Sequence, residues 1–248
     1  IINAAEYGMP QRRRRTYMVA FKNNSSVAQS VNSSSDWITK DGIMAKTFPV
    51  STDNVSIDTF TIHGDRSEIS GSFNKGKAHS PFKNAGLMMH RTVYTAQTAP
   101  AYNGPYVTLG DILVPDSEVA EDFYITDEDV VKWRYAKGGK KEKRVNKTTG
   151  FEYNYSEGAM AFPDSIDKPS RTIITGEGGA APSRFKHVIL TASGRYRRLT
   201  PTELERLNMF PDNHTLGASD TRRAFLMGNA LVTGIVERIG VQIIQRLR

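Results

Sequence analysis

The sequence predicts a mixed α/β fold with a β-rich middle and a helical C-terminal end. Short runs of β-branched and aromatic residues recur between residues 16 and 190, as is typical of strands. From Thr200 onward the apolar residues are instead spaced three and four apart, as is typical of helices. We therefore expect short strands first and helices last.

Bulk composition narrows the classes of function. The 248 residues suit one large domain or two modest ones, and a net charge of +7 favours a polyanionic partner. The chain has no cysteine, which excludes disulfides, thiolate metal sites and a cysteine nucleophile within it. Its five histidines are scattered without ligand spacing, so we expect no metal site. It begins Ile1-Ile2-Asn3 without an initiator methionine, and we expect a fragment or a processed chain.

Four consecutive arginines, Arg12 to Arg15, follow Gln11 near the start of the chain. Arginines repel one another and are strongly hydrated, so packing alone would not select this run. The residues Thr16–Phe21 that follow have the composition of a short buried strand. Guanidinium groups beside such a strand could grip a phosphate or a base edge. The alternative is a solvated basic turn.

The middle of the chain contains four further strand candidates and several loops. The strand candidates are Thr59–Ile62, Val93–Ala96, Thr172–Thr175 and Val188–Leu190. Residues 23–35 are rich in Asn and Ser and predict a loop. Residues 71–86 are basic and punctuated by glycine, which fits a loop facing nucleic acid or an ordinary surface loop.

A charge reversal lies between residues 116 and 147. Seven acidic residues within 116–129 are followed by eight basic ones within 132–147. This pattern indicates a helix that ends at Gly138-Gly139 and runs into a basic loop. Phosphate contact is the functional interpretation, and a solvated face that neutralises the acidic segment is the alternative. The DNA-binding candidates from these basic stretches and the later one at 184–187 are Lys140, Lys141, Lys143, Arg144 and Arg184.

The C-terminal end carries the clearest helix signals. Thr200-Pro201-Thr202-Glu203 is a capping box with proline at the first helical position, so a helix should begin at Pro201 and stop at Phe210-Pro211. Ser219 or Asp220 should cap a second helix that ends at Gly228-Asn229. A final helix should carry the apolar stripe from Val232 to Leu247.

Three separated stretches resemble the C-terminal part of the DNA cytosine-5 methyltransferases. Asn3–Arg15 is similar to the family's eighth conserved motif, N-A-x-x-Y-G-x-P-Q-x-R-x-R. Arg197–Glu203 with Phe210–Asp212 resembles the ninth motif, and Met227–Leu231 resembles the tenth. Their order, and the long variable region between the eighth and ninth, also fit the family.

The resemblance implies a domain layout. Residues 1–22 would be the end of the catalytic domain, at the edge of a Rossmann-like methyltransferase sheet, and 23–107 a variable insertion. Residues 108–195 would form a mostly β target recognition domain that reads DNA. Residues 196–248 would be helices that pack back on the sheet.

The resemblance also implies roles for individual residues. Arg13 and Arg15 match the arginines of the motif, with Arg15 at the flipped base and Arg13 in its supporting network. Gln11 and Thr172 would lie at the DNA. At the other end of the chain, Asn229 and Ala230 would border the methionine part of S-adenosylmethionine. Arg12 and Arg14 occupy variable positions of the motif, and surface charge explains them.

The family transfers a methyl group from S-adenosylmethionine to a flipped cytosine by means of a cysteine. That cysteine, most of the cofactor site and the proton-donating glutamate belong to motifs absent from this chain. We therefore expect a chain that is inactive alone and pairs with an N-terminal catalytic part, either as a domain of the same chain or as a separate subunit. Double-stranded DNA would be the substrate, in a bacterial restriction-modification system, with a cytoplasmic, nucleoid-associated location and no membrane.

Two alternatives remain open. The chain could be a stand-alone DNA-binding module or regulator derived from such an enzyme, or an RNA-directed relative. No Ser-His-Asp arrangement can be argued from the order of residues.

Overall fold

The computed structural model describes residues 1–72, 75 and 80–247. The strands are β1 (Ile2–Asn3), β2 (Arg14–Arg15), β3 (Ile57–Thr61), β4 (Ala85–Met89), β5 (Thr92–Ala96), β6 (Lys140–Val145), β7 (Glu152–Glu157), β8 (Val188–Leu190) and β9 (Tyr196–Arg198). The α-helices are α1 (Ser26–Gln29), α2 (Ser34–Asp36), α3 (Ile43–Thr47), α4 (Arg66–Ser72), α5 (Asp127–Lys137), α6 (Pro201–Leu207), α7 (Asp220–Asn229) and α8 (Thr233–Leu247). The expected mixed α/β class is confirmed.

The chain divides into two compact units. The first comprises Ile1–Gly8, Arg14–Pro105 and Gly234–Arg248, and the second comprises Met9–Arg13 and Tyr106–Thr233. The run of four arginines is therefore shared between the units.

Tyr7 is a buried residue of the first unit. Residues Ala4–Tyr7 form a 3₁₀ turn that ends at Gly8, whose φ of +85° favours glycine. A side chain at Gly8 would also lie 2.3 Å from the carbonyl oxygen of Pro105. The Tyr7 ring packs edge-on against Phe48 at 5.0 Å, and Arg238 of α8 donates a hydrogen bond to the Tyr7 carbonyl at 2.9 Å. The chain therefore turns at Gly8.

Two small antiparallel sheets belong to the first unit. One has the order β3-β5-β4, which confirms the strands predicted near residues 59–62 and 93–96. The other pairs Ile2 with Arg15 and Asn3 with Arg14. The predicted strand Thr16–Phe21 is wrong: pairing ends at Arg15 and Met18 is 90% exposed, because no described strand pairs with this run. The basic stretch 71–86 lies partly outside the described residues, at 73, 74 and 76–79.

The core of the second unit lies where α6 and α7 meet β8 and the segments around Ile112 and Ile173. The buried cluster consists of Leu109, Ile112, Ile173, Ile189, Leu199, Leu204, Leu207, Ala224 and Met227. Helix α6 begins at Pro201 with the predicted capping box between Thr200 and Glu203. Helix α7 begins after the Ser219 cap and ends at Asn229. Together with α8, these helices confirm the predicted starts of α6 and α7 and the final apolar helix, but α6 ends at Leu207, before the predicted stop at Phe210-Pro211.

The region 108–195 has less strand than we expected. Helix α5 ends at Lys137 as predicted, but the expected basic loop is strand β6, paired with β7 in a hairpin. Strand β8 is confirmed and pairs with β9. Residues 172–175 form no strand. The pairing in this segment is limited to a single bridge between Ser170 and Gln11, and the chain turns at Thr175. The expectation of a mostly β region is therefore wrong.

Among the described residues, no single helix is long and apolar enough to cross a membrane. Helices α7 and α8 reach that length and hydropathy only when taken together across the break between them.

Two helical glycines predict opposite effects of the same substitution. A Cβ at Gly228 would lie 2.3 Å from the backbone nitrogen of Thr175 and 2.4 Å from the carbonyl carbon of Ile174, so Gly228→Ala should destabilise the protein by about 1–3 kcal/mol. Nothing lies within 4 Å of a Cβ at Gly240, so Gly240→Ala should stabilise it by about 0.5–1 kcal/mol. Thermal unfolding of both variants measures this. Equal shifts in Tm would contradict the close approach at Gly228.

Candidate functional site

A buried hydrogen-bond network in the second unit links residues that match the eighth and tenth motifs through the end of α6. Gln11 is fully buried. Its Nε2 donates to the carbonyl oxygen of Leu207 at 3.1 Å and to Oδ1 of Asn208 at 3.0 Å. Its Oε1 accepts from the backbone nitrogen of Ile173 at 3.0 Å. The Gln11 side chain therefore connects α6 with the 170–174 segment, since its NH2 group donates to the end of the helix and its oxygen accepts from the segment.

Arg13 is the second buried member of this network. Its Nη2 donates to the carbonyl oxygen of Gly228 at 2.8 Å, and its Nη1 to the carbonyl oxygen of Ile173 at 3.2 Å. Nη1 also lies 3.4 Å from Oε1 of Gln11. The planar guanidinium group thus joins the C-terminal turn of α7 to the 170–174 segment. Asn208 completes the link, because its Nδ2 donates to the carbonyl oxygen of Met227 at 2.8 Å.

The 170–174 segment runs beside residues 10–13. The nitrogen of Ser170 donates to the carbonyl of Pro10, and the nitrogen of Arg12 to the carbonyl of Ser170, each at 2.8 Å. The hydroxyl of Thr172 donates to the carbonyl of Arg12. Thr172 is half-buried and is held by this bond next to the arginine run.

Behind the segment lies a row of buried polar side chains that the sequence did not predict. Oγ of Ser170 lies 3.0 Å from Nε2 of His187, and Nδ1 of His187 lies 2.8 Å from Oε1 of Glu177. This is a Ser-His-acid order, but all three side chains are buried, with Ser170 2% exposed. A substrate therefore cannot reach the hydroxyl, and the row supports the 170–174 segment from behind.

Asp164 is a buried centre of charge beside this row. It forms ion pairs with Lys137 at 3.2 Å and Arg171 at 2.6 Å. Burial opposes its ionisation, but the hydrogen bond from Arg171 and the charge of Lys137 outweigh burial and lower the pKa of Asp164. Burial lowers the pKa of Lys137 in spite of the attraction to Asp164.

The arginines of the ninth motif are also structural. Arg197 and Glu203 are both buried and form a bidentate pair, with contacts of 2.9 and 2.8 Å. The acidic segment supplies a further partner, since Asp116 lies 3.4 Å from Nε of Arg197. The acidic segment therefore pairs with residues 195–197, through Glu121 on Arg195 as well, and it also pairs with the basic segment through Asp129 on Lys132.

The remaining arginines of the run are exposed. Arg12 lies in the second unit, and Arg14 and Arg15 form β2 in the first. Nη1 of Arg15 donates to the carbonyl oxygen of Arg14 at 2.8 Å. The run therefore has one buried structural arginine, Arg13, and three on the surface.

The predicted DNA contacts lie in different surroundings. Gln11 is fully buried, and its amide is hydrogen-bonded inside the second unit. Lys140 and Arg184 both pair with Glu157, at 3.2 and 3.1 Å. Arg144 pairs with Glu142 at 3.2 Å. Lys141 and Lys143 are exposed on β6.

The predicted cofactor residues differ in exposure. Asn229 is exposed, and its Nδ2 donates to the carbonyl of Phe225 at 3.1 Å. Ala230 is half-buried against the core of the second unit. The structure thus leaves the carbonyl oxygen of the Asn229 side chain at the surface.

Substituting the buried arginine tests the network. Arg13→Lys keeps the charge but loses the fork, so at least one carbonyl acceptor should lose its donor, at a cost of about 2–4 kcal/mol of unfolding free energy. Denaturant unfolding measures this, with the exposed neighbour Arg12→Lys as the control, which should change stability by less than about 0.5 kcal/mol. Equal stabilities of the two variants would show that the fork does not matter.

Asp164 predicts a dependence of stability on pH. Because its folded pKa is lowered, its contribution is present above the unfolded pKa of about 3.9 and is lost as the pH falls through the folded value. Asp164→Asn leaves Lys137 buried without its charge partner and should cost about 3–5 kcal/mol at neutral pH.

The difference between the wild type and Asp164→Asn should narrow as the pH falls below about 4, because the unfolded carboxyl then takes up a proton while the folded one, with its lowered pKa, is still ionised. Unfolding measured from pH 3 to pH 7 follows this, with the exposed Asp41→Asn as the control. A gap that stays constant with pH would argue against an ionised Asp164.

Comparison with known proteins agrees with the motif pattern. The family model for C-5 cytosine-specific DNA methylase matches residues 1–245. The type II methyltransferase M.Sau3AI of Staphylococcus aureus is 38% identical over 247 residues, which is 98% of this chain and 57% of that protein. The chain thus spans little more than half the length of this relative.

Two solved structures are similar at low identity. The Entamoeba histolytica methyltransferase EhMeth matches with a TM-score of 0.40 at 10% identity, over 79% of this chain and 55% of that chain. The Dnmt2 methyltransferase of S. pombe matches with a TM-score of 0.36 at 10% identity, over 78% and 58%. The assignment rests on the sequence match, which extends over almost all of the residues. The chain belongs to the C-5 cytosine-specific DNA methylase family.

Proposed function

We propose that this chain is the C-terminal, DNA-reading part of a DNA cytosine-5 methyltransferase. The observation that carries the proposal is the buried network in which Gln11 and Arg13 of the eighth motif contact Asn208, after α6, and Gly228 of the tenth. Residues matching motifs far apart in sequence therefore lie together, as parts of one site should. The family match over residues 1–245 supports the same function.

In this proposal the two motif arginines have different tasks. Arg13 is a positioning residue, because it is buried and its fork holds the carbonyls of Ile173 and Gly228. Arg15 is the group that meets the flipped cytosine, where a fixed positive charge offsets the negative charge that develops on the ring. Its exposure on β2 leaves the guanidinium available for this role.

This chain offers S-adenosylmethionine only a few contacts, at the end of α7. The cofactor supplies the methyl group when bound. The carbonyl oxygen of the Asn229 side chain, exposed at the end of α7, can accept a hydrogen bond from the ammonium group of the methionine part. Ala230 can pack beside it. One amide does not make a cofactor site, so we propose that most of the site is contributed by an N-terminal catalytic part.

The same part would supply the cysteine nucleophile, because this chain has no cysteine. On this proposal the chain is inactive alone, and its N-terminal partner is a preceding domain or a separate subunit. The substrate is double-stranded DNA in a bacterial restriction-modification system, and the location is the nucleoid region of the cytoplasm. The similarity to a type II methyltransferase supports this setting.

The domain layout is part of the proposal. Residues 1–22 would end the catalytic domain, 23–107 would be an insertion, 108–195 would read the target, and 196–248 would return to the catalytic domain. The β1–β2 pair and residues 234–248 lie in the same unit, which supports one domain for these parts of the first and last segments, whereas 196–233 lie in the second unit with the proposed reader.

A second candidate, a DNA-binding regulator without methyl transfer, is favoured by one observation: the lack of cysteine. The test combines this chain with the N-terminal part and labelled S-adenosylmethionine on duplex DNA. Transfer of label to cytosine supports the enzyme. Binding of DNA without transfer by the combined parts would favour the regulator.

Within the complete enzyme, Arg15→Ala should reduce kcat far more than DNA affinity, by about 10²-fold or more, because the lost charge acts mainly on the transition state. Single-turnover methylation and DNA titration measure the two effects. Arg14→Ala is the matched control, since it removes a neighbouring exposed charge from the same strand. If Arg15→Ala loses affinity and turnover equally, Arg15 is an anchor for phosphate and its proposed role at the base is wrong.

A further inference from the structure

The β6–β7 hairpin separates its charges onto two faces. Six residue pairs connect the strands, from Lys140 opposite Glu157 to Val145 opposite Glu152. Because side chains alternate along a strand, Lys141, Lys143 and Val145 share one face, and the residues between them share the other. The two faces differ in how their charges are satisfied.

One face is already occupied by internal partners. Lys140 and Arg184 converge on Glu157. Arg144 pairs with Glu142, and its guanidinium lies 3.5 Å from the centre of the Tyr155 ring. The cations of this face are neutralised and held in place.

The other face, formed by Lys141, Lys143, Asn154 and Ser156, is exposed and unpaired. The hairpin is described throughout, and neither lysine has an ion-pair partner in the described part of the chain. Glu152, the one carboxylate on this face of the hairpin, lies opposite Val145, beyond the lysines. The two lysines are about 7 Å apart along the strand. We call this set the outer face.

The tip of the hairpin is ordered and partly apolar. Oδ1 of Asn146 accepts from the nitrogens of Thr148 and Thr149 at 2.9 and 3.2 Å, and the Asn146 carbonyl accepts from Gly150 at 2.8 Å. Beside this turn, Phe151 is 68% exposed and Val145 56%. Two exposed apolar side chains thus lie next to the basic residues of the outer face.

We propose that the hairpin is a ribbon that enters the major groove of duplex DNA, with the outer face against phosphates and Phe151 against base edges. The major groove is about 12 Å wide and admits a two-stranded ribbon. Lysines bind phosphates as point charges, whereas a phenylalanine can contact the methyl group of thymine. The net charge of +7 suits this partner. The inference rests on the proposed function, which supplies the DNA.

The outer face is tested in the complete enzyme by titrating a labelled mixed-sequence duplex at several salt concentrations. Lys141→Ala/Lys143→Ala should weaken binding to all sequences alike and lower the slope of log K against log salt by about 1.8, since each phosphate contact contributes about 0.9. Lys22→Ala/Lys46→Ala is the control, because it removes two exposed charges from the first unit. Its slope should stay at the wild-type value.

The tip is tested by sequencing the DNA that each protein retains from a randomised duplex pool. Phe151→Ala should keep the salt slope and relax the base preference at one or two positions. Unfolding curves that match the wild type confirm that each variant folds.

The possible results distinguish failure of the hairpin proposal from failure of the proposed function. If the lysine variant keeps the slope of its control while the wild type binds and methylates DNA, the ribbon is wrong and the proposed function stands. If the wild type neither binds nor methylates duplex DNA, both are wrong. If single-stranded RNA competes as well as the duplex does, the assignment to a DNA groove is overturned.

Discussion

The buried hydrogen bonds of Gln11 and Arg13 are the constraint on which the rest of the second unit depends. These two polar side chains carry several hydrogen-bond donors and are buried away from water. Their donors therefore need acceptors inside the protein. They find them on three segments that are distant in sequence, at Ile173, at Leu207-Asn208 and at Gly228. The need for close approach then explains why residue 228 has no side chain. The resemblance to the family's motifs has a physical basis in this contact.

Burial decides which positive charges are available to a partner. Arg13, Arg197 and Arg223 are all buried, and the latter two form ion pairs with Glu203 and Glu205. The net charge of the chain therefore does not say which cations face DNA. In β6, neighbouring residues on opposite faces differ in their ion pairing, since Lys140 is paired with Glu157 and Lys141 has no ion-pair partner among the described residues. A strand can thus combine a structural face and a binding face in six residues.

The parts of the fold that were predicted correctly depend on local signals. The capping box at Thr200, the Ser219 cap and the apolar stripe of α8 act within one or two turns, and all three helices formed as expected. The Arg13 and Arg15 positions were located by the motif, but only the structure distinguishes their burial. Their chemical roles remain proposals.

The incorrect predictions concern residues whose structure depends on partners distant in the sequence. Residues 16–21 have the composition of a strand, but composition cannot supply a neighbouring strand to pair with. Strand β6 is highly charged and lacks the apolar alternation of a half-buried strand, so it looked like a loop. The pair of Lys137 with Asp164 spans 27 residues, and neither residue carries a local sign of it. Gln11 looked like a surface residue for the same reason.

The central claim is that the segment of the eighth motif is coupled to the end of α6 through these buried hydrogen bonds, and a double-mutant cycle between Gln11 and Asn208 tests it most directly. The free energies of unfolding of Gln11→Ala, Asn208→Ala and the double variant are compared with that of the wild type. Because the two amides contact at 3.0 Å, we expect a coupling energy of about 0.5–3 kcal/mol. Additive effects of the two substitutions would contradict the claim.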